Sequence, residues 1–171
     1  MAQATGFRYN GVSPRRGGGI ATRIMPSTHL SLHYHLVFGT KERTSLIDSV
    51  WQERLHAYLG GVIGTLGGVS CIVGGTVDHV HLLVGLRATH RLSDVMRELK
   101  SVSSTWVHEE IGKSEFAWQE GYGAFTVSAS IMEPVRKYIA NQKEHHRVRT
   151  FREEYETILR NSGVVFDTRY L

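Results

Sequence analysis

Val77-Asp78-His79-Val80-His81-Leu82-Leu83-Val84 decides how this chain is read. Its β-branched and apolar content marks a buried strand. Side chains alternate along a strand, so both imidazoles take one face while Val80 and Leu82 take the other. Two neutral imidazoles beside a core are costly unless something binds them, and a divalent metal is the natural occupant.

Working outward, Leu30 to Phe38 alternates and stops at Gly39, which predicts a first strand carrying a second His-x-His pair, His33 and His35. After a basic turn, Asp48 and Ser49 cap a helix, with Ser49 and Gln52 at capping-box spacing. Trp51, Leu55, Tyr58, Leu59, Val62, Ile63 and Leu66 form its apolar stripe, and Gly67-Gly68 ends it. Residues 69–76 and 79–86 read as a hairpin. A second helix, from about Leu92 to Glu110, buries Leu92, Val95, Met96, Leu99, Val102 and Trp106. Tyr122 to Val127 reads as the last strand. Ser130 and Glu133, again at capping-box spacing, open a final helix over Val135 to about Arg149. The segment 150–171 is expected to pack as an edge. The order strand, helix, strand, strand, helix, strand, helix predicts an α+β, ferredoxin-like (RRM-like) fold. An antiparallel sheet has helices packed on one face, and its first and third strands are central neighbours.

The chain has 171 residues, 41% of them hydrophobic, enough for a single domain with a substantial core. Residues 1–25 stand apart: Gly6, Gly11, Gly17, Gly18, Gly19, Arg8, Arg15, Arg16 and Arg23 occur there without one acidic residue. This composition predicts a disordered basic tail preceding a domain over 26–171. The net charge of +4 suits an anionic partner. One cysteine, Cys71, excludes an internal disulfide framework and suits a reducing cytoplasm. No apolar run reaches membrane-span length and no secretion signal opens the chain, so a cytoplasmic protein is expected.

The final helix carries Tyr138-Ile139-Ala140-Asn141-Gln142-Lys143-Glu144-His145-His146. Tyr138 and Gln142, four residues apart, share a helical face. Gln142 offers a hard amide oxygen suited to Mg²⁺ or Mn²⁺, with Asn141 as its rival. Tyr138 offers a phenol that can attack phosphorus. With a pKa of about 10 that phenol needs assistance at neutral pH. A metal on the scissile phosphate provides it by making phosphorus more electrophilic.

These residues, with Trp118-Gln119 and Gly121-Tyr122, resemble the single-tyrosine HUH transposases, the smallest bacterial insertion-sequence transposases, to which the REP-associated tyrosine transposases are related. The likeness runs from roughly Pro26 to Leu171 and rests on His-x-His joined to Tyr-x-x-x-Gln in this strand–helix order. It implies that His79, His81 and Gln142 bind Mg²⁺ or Mn²⁺ and that Tyr138 is the nucleophile. It further implies a homodimer acting on single-stranded DNA folded into hairpin ends, through a 5′-phosphotyrosine intermediate. In that family the tyrosine helix of one subunit can complete the histidine site of the other.

Lys41, Arg43, Arg97, Lys100, Lys143 and Arg147 are candidate DNA contacts, with Arg136 and Arg149 behind them. His33 and His35, near the first pair if the sheet order holds, are candidates for DNA contact or for orienting a ligand. Three other readings stay open. A domesticated relative would process dispersed palindromic repeats with the same chemistry. A non-catalytic single-strand-binding module would stack bases on sheet aromatics, for which Tyr34 is the candidate. A metal hydrolase would need a carboxylate base, for which Asp78 and Glu144 are available.

Overall fold

The computed structural model describes residues 28–170. The expected basic tail over 1–25 lies outside the described residues. Four strands form one antiparallel sheet: β1 (His33–Gly39), β2 (Val69–Gly75), β3 (His79–Gly85) and β4 (Gly123–Val127), in the order β2-β3-β1-β4. β1 and β3 are central neighbours, as expected for the ferredoxin-like order, with Val37 opposite His81 and His35 opposite Leu83.

Alternation sorts the strand residues into two layers. Leu36, Phe38, Val80, Leu82 and Val84 face a core completed by α1 (Ser49–Thr65) and α2 (Leu92–Trp106), through Trp51, Leu55, Leu59, Ile63, Val95, Met96 and Leu99. Each such aliphatic side chain, taken fully out of water, contributes roughly 1.5–3 kcal/mol. In addition, the other sheet face is covered by the C-terminal helices α3 (Met132–Ala140) and α5 (Phe151–Asn161). There Leu83 and Val127 meet Ile139, while Val37 and Phe125 meet Leu159. His79 and His81 are fully buried in this second layer.

Several boundaries differ from the sequence expectation, each for a local reason. Asp48 alone caps α1, accepting from the Val50 N–H; no Ser49–Gln52 box forms, because the buried Gln52 amide donates to the carbonyls of Gly75 and Thr76. α1 ends at Gly67, whose φ of +83° only glycine adopts freely. α2 passes into a wider π turn over Val107–Ile111 before Gly112. Ser130 caps nothing: its hydroxyl pairs with that of Ser128, and a 3₁₀ turn over Ala129–Ile131 leads into α3. The single final helix over Val135–Arg149 is broken at Asn141 (φ −100°, ψ 20°), after which α4 (Gln142–His145) restarts. The segment after 150 is a helix rather than an edge. Thr150 and Glu153 form a reciprocal capping box, and Phe151, Tyr155, Ile158 and Leu159 bury one side of α5. Tyr34 points to the α1/α2 core and is no stacking platform. Among the described residues no helix is long and apolar enough to cross a membrane.

Candidate active site

The site forms where β3, α3, α4 and α5 converge. His79 Nδ1 lies 2.7 Å from Asp78 Oδ1 and 2.9 Å from the Thr76 hydroxyl, which itself donates to Asp78. Burial opposes the Asp78 charge, but the hydrogen bonds from His79 and Thr76 and the nearby Arg43 charge hold its carboxyl below the usual range. An ionised carboxylate only accepts, so His79 Nδ1 donates, and the lone pair of neutral His79 sits on Nε2. His81 Nδ1 lies 2.9 Å from His35 Nε2. Burial holds both imidazoles neutral, His35 down to about 4 and His81 well below its ordinary value, the latter helped by its positively charging neighbours. His81 Nε2 is buried without a hydrogen-bond partner. The arrangement that leaves no buried N–H unpaired has His81 Nδ1 donating to His35, so a lone pair again occupies Nε2.

Gln142 points its amide oxygen at His79 Nε2, 3.4 Å away, while its nitrogen donates to Glu154 Oε1 at 2.9 Å. Two acceptors facing each other this closely are unfavourable without a cation between them. Glu154 Oε2 lies 4.0 Å from His79 Nε2 and 3.9 Å from His81 Nε2. Ligand atoms of His79, His81 and Glu154 all fall within 4.8 Å of one another. The converging buried acceptors and the orphaned His81 Nε2 therefore fit a divalent cation. Nitrogen with hard oxygen donors suits Mn²⁺ or Mg²⁺.

Tyr138 is half-buried beside this cluster, its ring centroid 5.8 Å from that of His81 and its hydroxyl donating to Glu154 Oε1. The break at Asn141 does not part Tyr138 from Gln142, since both reach that same oxygen. His146 Nε2 bonds Glu154 Oε2 at 2.7 Å, and burial, then the neighbouring His79, lowers its pKa to about 4. A large cleft of about 690 Å³, lined by His35, Phe125, Val135, Tyr138 and Ile158 among others, opens beside the tyrosine. Asn141, the rival ligand, is exposed, whereas Gln142 is buried in the cluster.

The residue types and order match the model of the IS200-like transposase family over residues 28–142. The chain belongs to the IS200-like transposase family. Among solved structures, a candidate transposase from Deinococcus radiodurans R1 shares the fold at 24% identity and a TM-score of 0.55, covering 71% of this chain and 98% of that one. A REP-associated tyrosine transposase bound to a REP hairpin does so at 14% identity and a TM-score of 0.53, covering 71% and 73%. No curated protein matches the chain. Both structural likenesses speak for the fold alone.

The candidate DNA cations are scattered. Lys41, Lys143 and Arg147 are exposed, Arg147 pairing with Glu144 at 3.1 Å. Arg97 pairs with Asp94 at 3.0 Å, and α2 puts it, with Lys100, across the sheet from Tyr138. Lys100 gives its three donors to the carbonyls of Gln119, Glu120 and Gly121. Arg43 turns inward: its guanidinium carbon lies 3.2 Å from the centroid of Phe151, which in turn packs on His79. Burial lowers the Arg43 pKa to about 10. Arg136 donates to the Cys71 carbonyl and Arg149 is exposed. His33 makes only a long contact with Ser31 and stays outside the cluster, whereas His35 enters it. Sequence reading missed Glu154 and the contact His146 makes with it. The Thr-Phe-Arg-Glu capping box at 150–153, followed by apolar residues at helical spacing, was the signal for α5.

Proposed function

We propose that this transposase-family chain cuts and rejoins single-stranded DNA through Tyr138, with Mg²⁺ or Mn²⁺ held by His79, His81 and Gln142. One observation carries the reading: a half-buried phenol stands beside buried imidazole and amide acceptors that converge without protons to share. When bound, the cation would make the scissile phosphorus more electrophilic and offset charge on the departing oxygen. As the Tyr138 oxygen attacks phosphorus its phenolic proton passes to solvent, the bond from phosphorus to the 3′ oxygen breaks, and that oxygen takes up a proton from solvent and leaves as a 3′-hydroxyl. The strand beyond the cut stays on Tyr138 through its 5′-phosphate. Attack by another 3′-hydroxyl on that ester releases Tyr138 and joins the strands. Asp78 and His35 act through their hydrogen bonds, aiming the two Nε2 lone pairs inward.

Family membership and the fold shared with a hairpin-bound REP-associated transposase support hairpin-ended single-stranded DNA as substrate; a homodimer working in the cytoplasm belongs to the same proposal. The exposed cations Lys41, Lys143 and Arg147 are the candidate phosphate contacts; Arg43, Arg97 and Lys100 have the protein partners described above. The same likeness keeps a second reading, a domesticated processor of palindromic repeats. Many genomic copies with identical ends favour the transposon enzyme, and one copy flanked by palindromes favours the processor. The chemistry itself is tested by incubating the protein with Mn²⁺ and a labelled single-stranded hairpin. An SDS-resistant adduct that disappears with chelator and with Tyr138→Phe is expected; cleavage by the Tyr138→Phe protein at the normal rate would contradict it.

A further inference from the structure

Glu154 reaches the site from α5, beyond the segment matched by the family, and no step above uses it. Its two oxygens face different partners. Oε2 lies 3.9 Å and 4.0 Å from the Nε2 atoms of His81 and His79 and accepts from His146 at 2.7 Å. Oε1 accepts from the Tyr138 hydroxyl and from the Gln142 amide. The side chain is buried, so its charge needs compensation from within the protein. Tyr138, Gln142 and His146 give it hydrogen bonds, and the nearby Arg43 guanidinium, stacked on Phe151, offsets its charge only in part. A divalent cation between Oε2 and the imidazoles would supply the missing counter-charge, and a carboxylate is a hard donor suited to Mn²⁺ or Mg²⁺.

We propose that Glu154 bridges metal and nucleophile: Oε2 ligates the cation held by His79 and His81, while Oε1 holds the Tyr138 hydroxyl turned toward it. The inference rests on the metal reading of His79 and His81. Separate oxygens serve the two roles, so both are filled at once. The bridge changes the ligand set from neutral, two imidazoles and an amide, to one carrying a negative charge. It also makes α5 part of the catalytic apparatus, with Glu154 as a metal ligand and, toward Tyr138, a positioning residue.

The test is calorimetric titration of the full chain with Mn²⁺, without DNA, followed by the rate of covalent adduct formation at saturating Mn²⁺. Glu154→Gln keeps the shape and an oxygen that can accept from Tyr138 but removes the anionic ligand. Its Mn²⁺ affinity is expected to fall by about tenfold or more, and its adduct rate at saturation to stay above that of Glu154→Ala. Glu154→Ala should lose the same affinity and, in addition, slow the adduct at saturation because Tyr138 loses its anchor. Unchanged Mn²⁺ affinity in both variants, folded as judged by circular dichroism, overturns the ligand assignment. Equal adduct rates for the two variants at saturation overturn the bridge. His79→Ala and His81→Ala separate this from the underlying reading. If they abolish Mn²⁺ binding while the Glu154 variants do not, only the role of Glu154 fails; if they too bind normally, the metal site itself fails.

Discussion

At the scale of single residues, protonation decides what the site can hold. Burial raises the Glu154 carboxyl to about 7, Asp78 adding to the rise and Arg43 opposing it. His35 and His146 lie near 4 and His81 well below its ordinary value, so these imidazoles are already neutral at pH 6. Ligation requires the carboxylate, so a proton competes with the metal below pH 7 and not above about 8. Mn²⁺ affinity should therefore climb through pH 7 and level off, each unit below it costing up to about tenfold. Calorimetry in buffers of different ionisation enthalpy should count about one more proton released from the Glu154 carboxyl at pH 6 than at pH 8.5. In Glu154→Gln this step should vanish; a step that persists would assign it to another group. His79 and His81 were legible because a strand alternates with period two. Glu154 was not, because its approach to them depends on how α5 folds back over the sheet, which no local spacing encodes.

At the scale of elements, helix ends set where the chemistry stands. Thr150 and Glu153 fix the start of α5 at Phe151, three residues before Glu154. Thr150→Ala should cost about 1 kcal/mol, lowering the melting temperature by roughly 2–4 °C for a chain of this size. It should weaken Mn²⁺ binding as well, because the first turn carries the carboxylate. A lower melting temperature with unaltered Mn²⁺ affinity would show that α5 can fray without disturbing the site. Capping-box spacing occurs three times in this chain, and only the 150–153 instance forms a box. At 49–52 the loop carbonyls took the glutamine side chain; at 130–133 a 3₁₀ turn took the serine. Spacing names the donors and acceptors available, while tertiary partners decide which are used. The break at Asn141 was hidden for the same reason, since a helical stripe through Tyr138 and Gln142 tolerates a kink that keeps both facing Glu154.

At the scale of the molecule, one sheet separates two layers with different work. The α1/α2 layer is an apolar core read directly from strand and helix periodicity, whereas the α3/α5 layer buries the polar cluster. Only the first layer could be anticipated in detail, because its side chains follow the period of their own elements. The close approach of α3 to β2 is set at Gly74, opposite His81, where a Cβ would lie 2.9 Å from Ile139 Cγ2. Within one chain, Tyr138 reaches its own histidine cluster. Family resemblance allows the partner's tyrosine helix to take that place; the closed single-chain site makes the opposite prediction. Mixing His81→Ala with Tyr138→Phe protein, after verified subunit exchange, should restore no cleavage, because each chain carries one defective site. Partial recovery would show that subunits exchange their tyrosine helices.

The central claim, that Tyr138 becomes covalently joined to the 5′ side of a cut DNA strand, has one direct measurement. A single-stranded hairpin labelled at its 3′ end is incubated with the protein and Mn²⁺, denatured in SDS, digested with protease and analysed by mass spectrometry. The account predicts a labelled peptide spanning Lys137 to Lys143 with the nucleotide phosphate on Tyr138, and an unlabelled upstream strand released with a free 3′-hydroxyl. Cleavage without any protein adduct, or an adduct on a different residue, would contradict it.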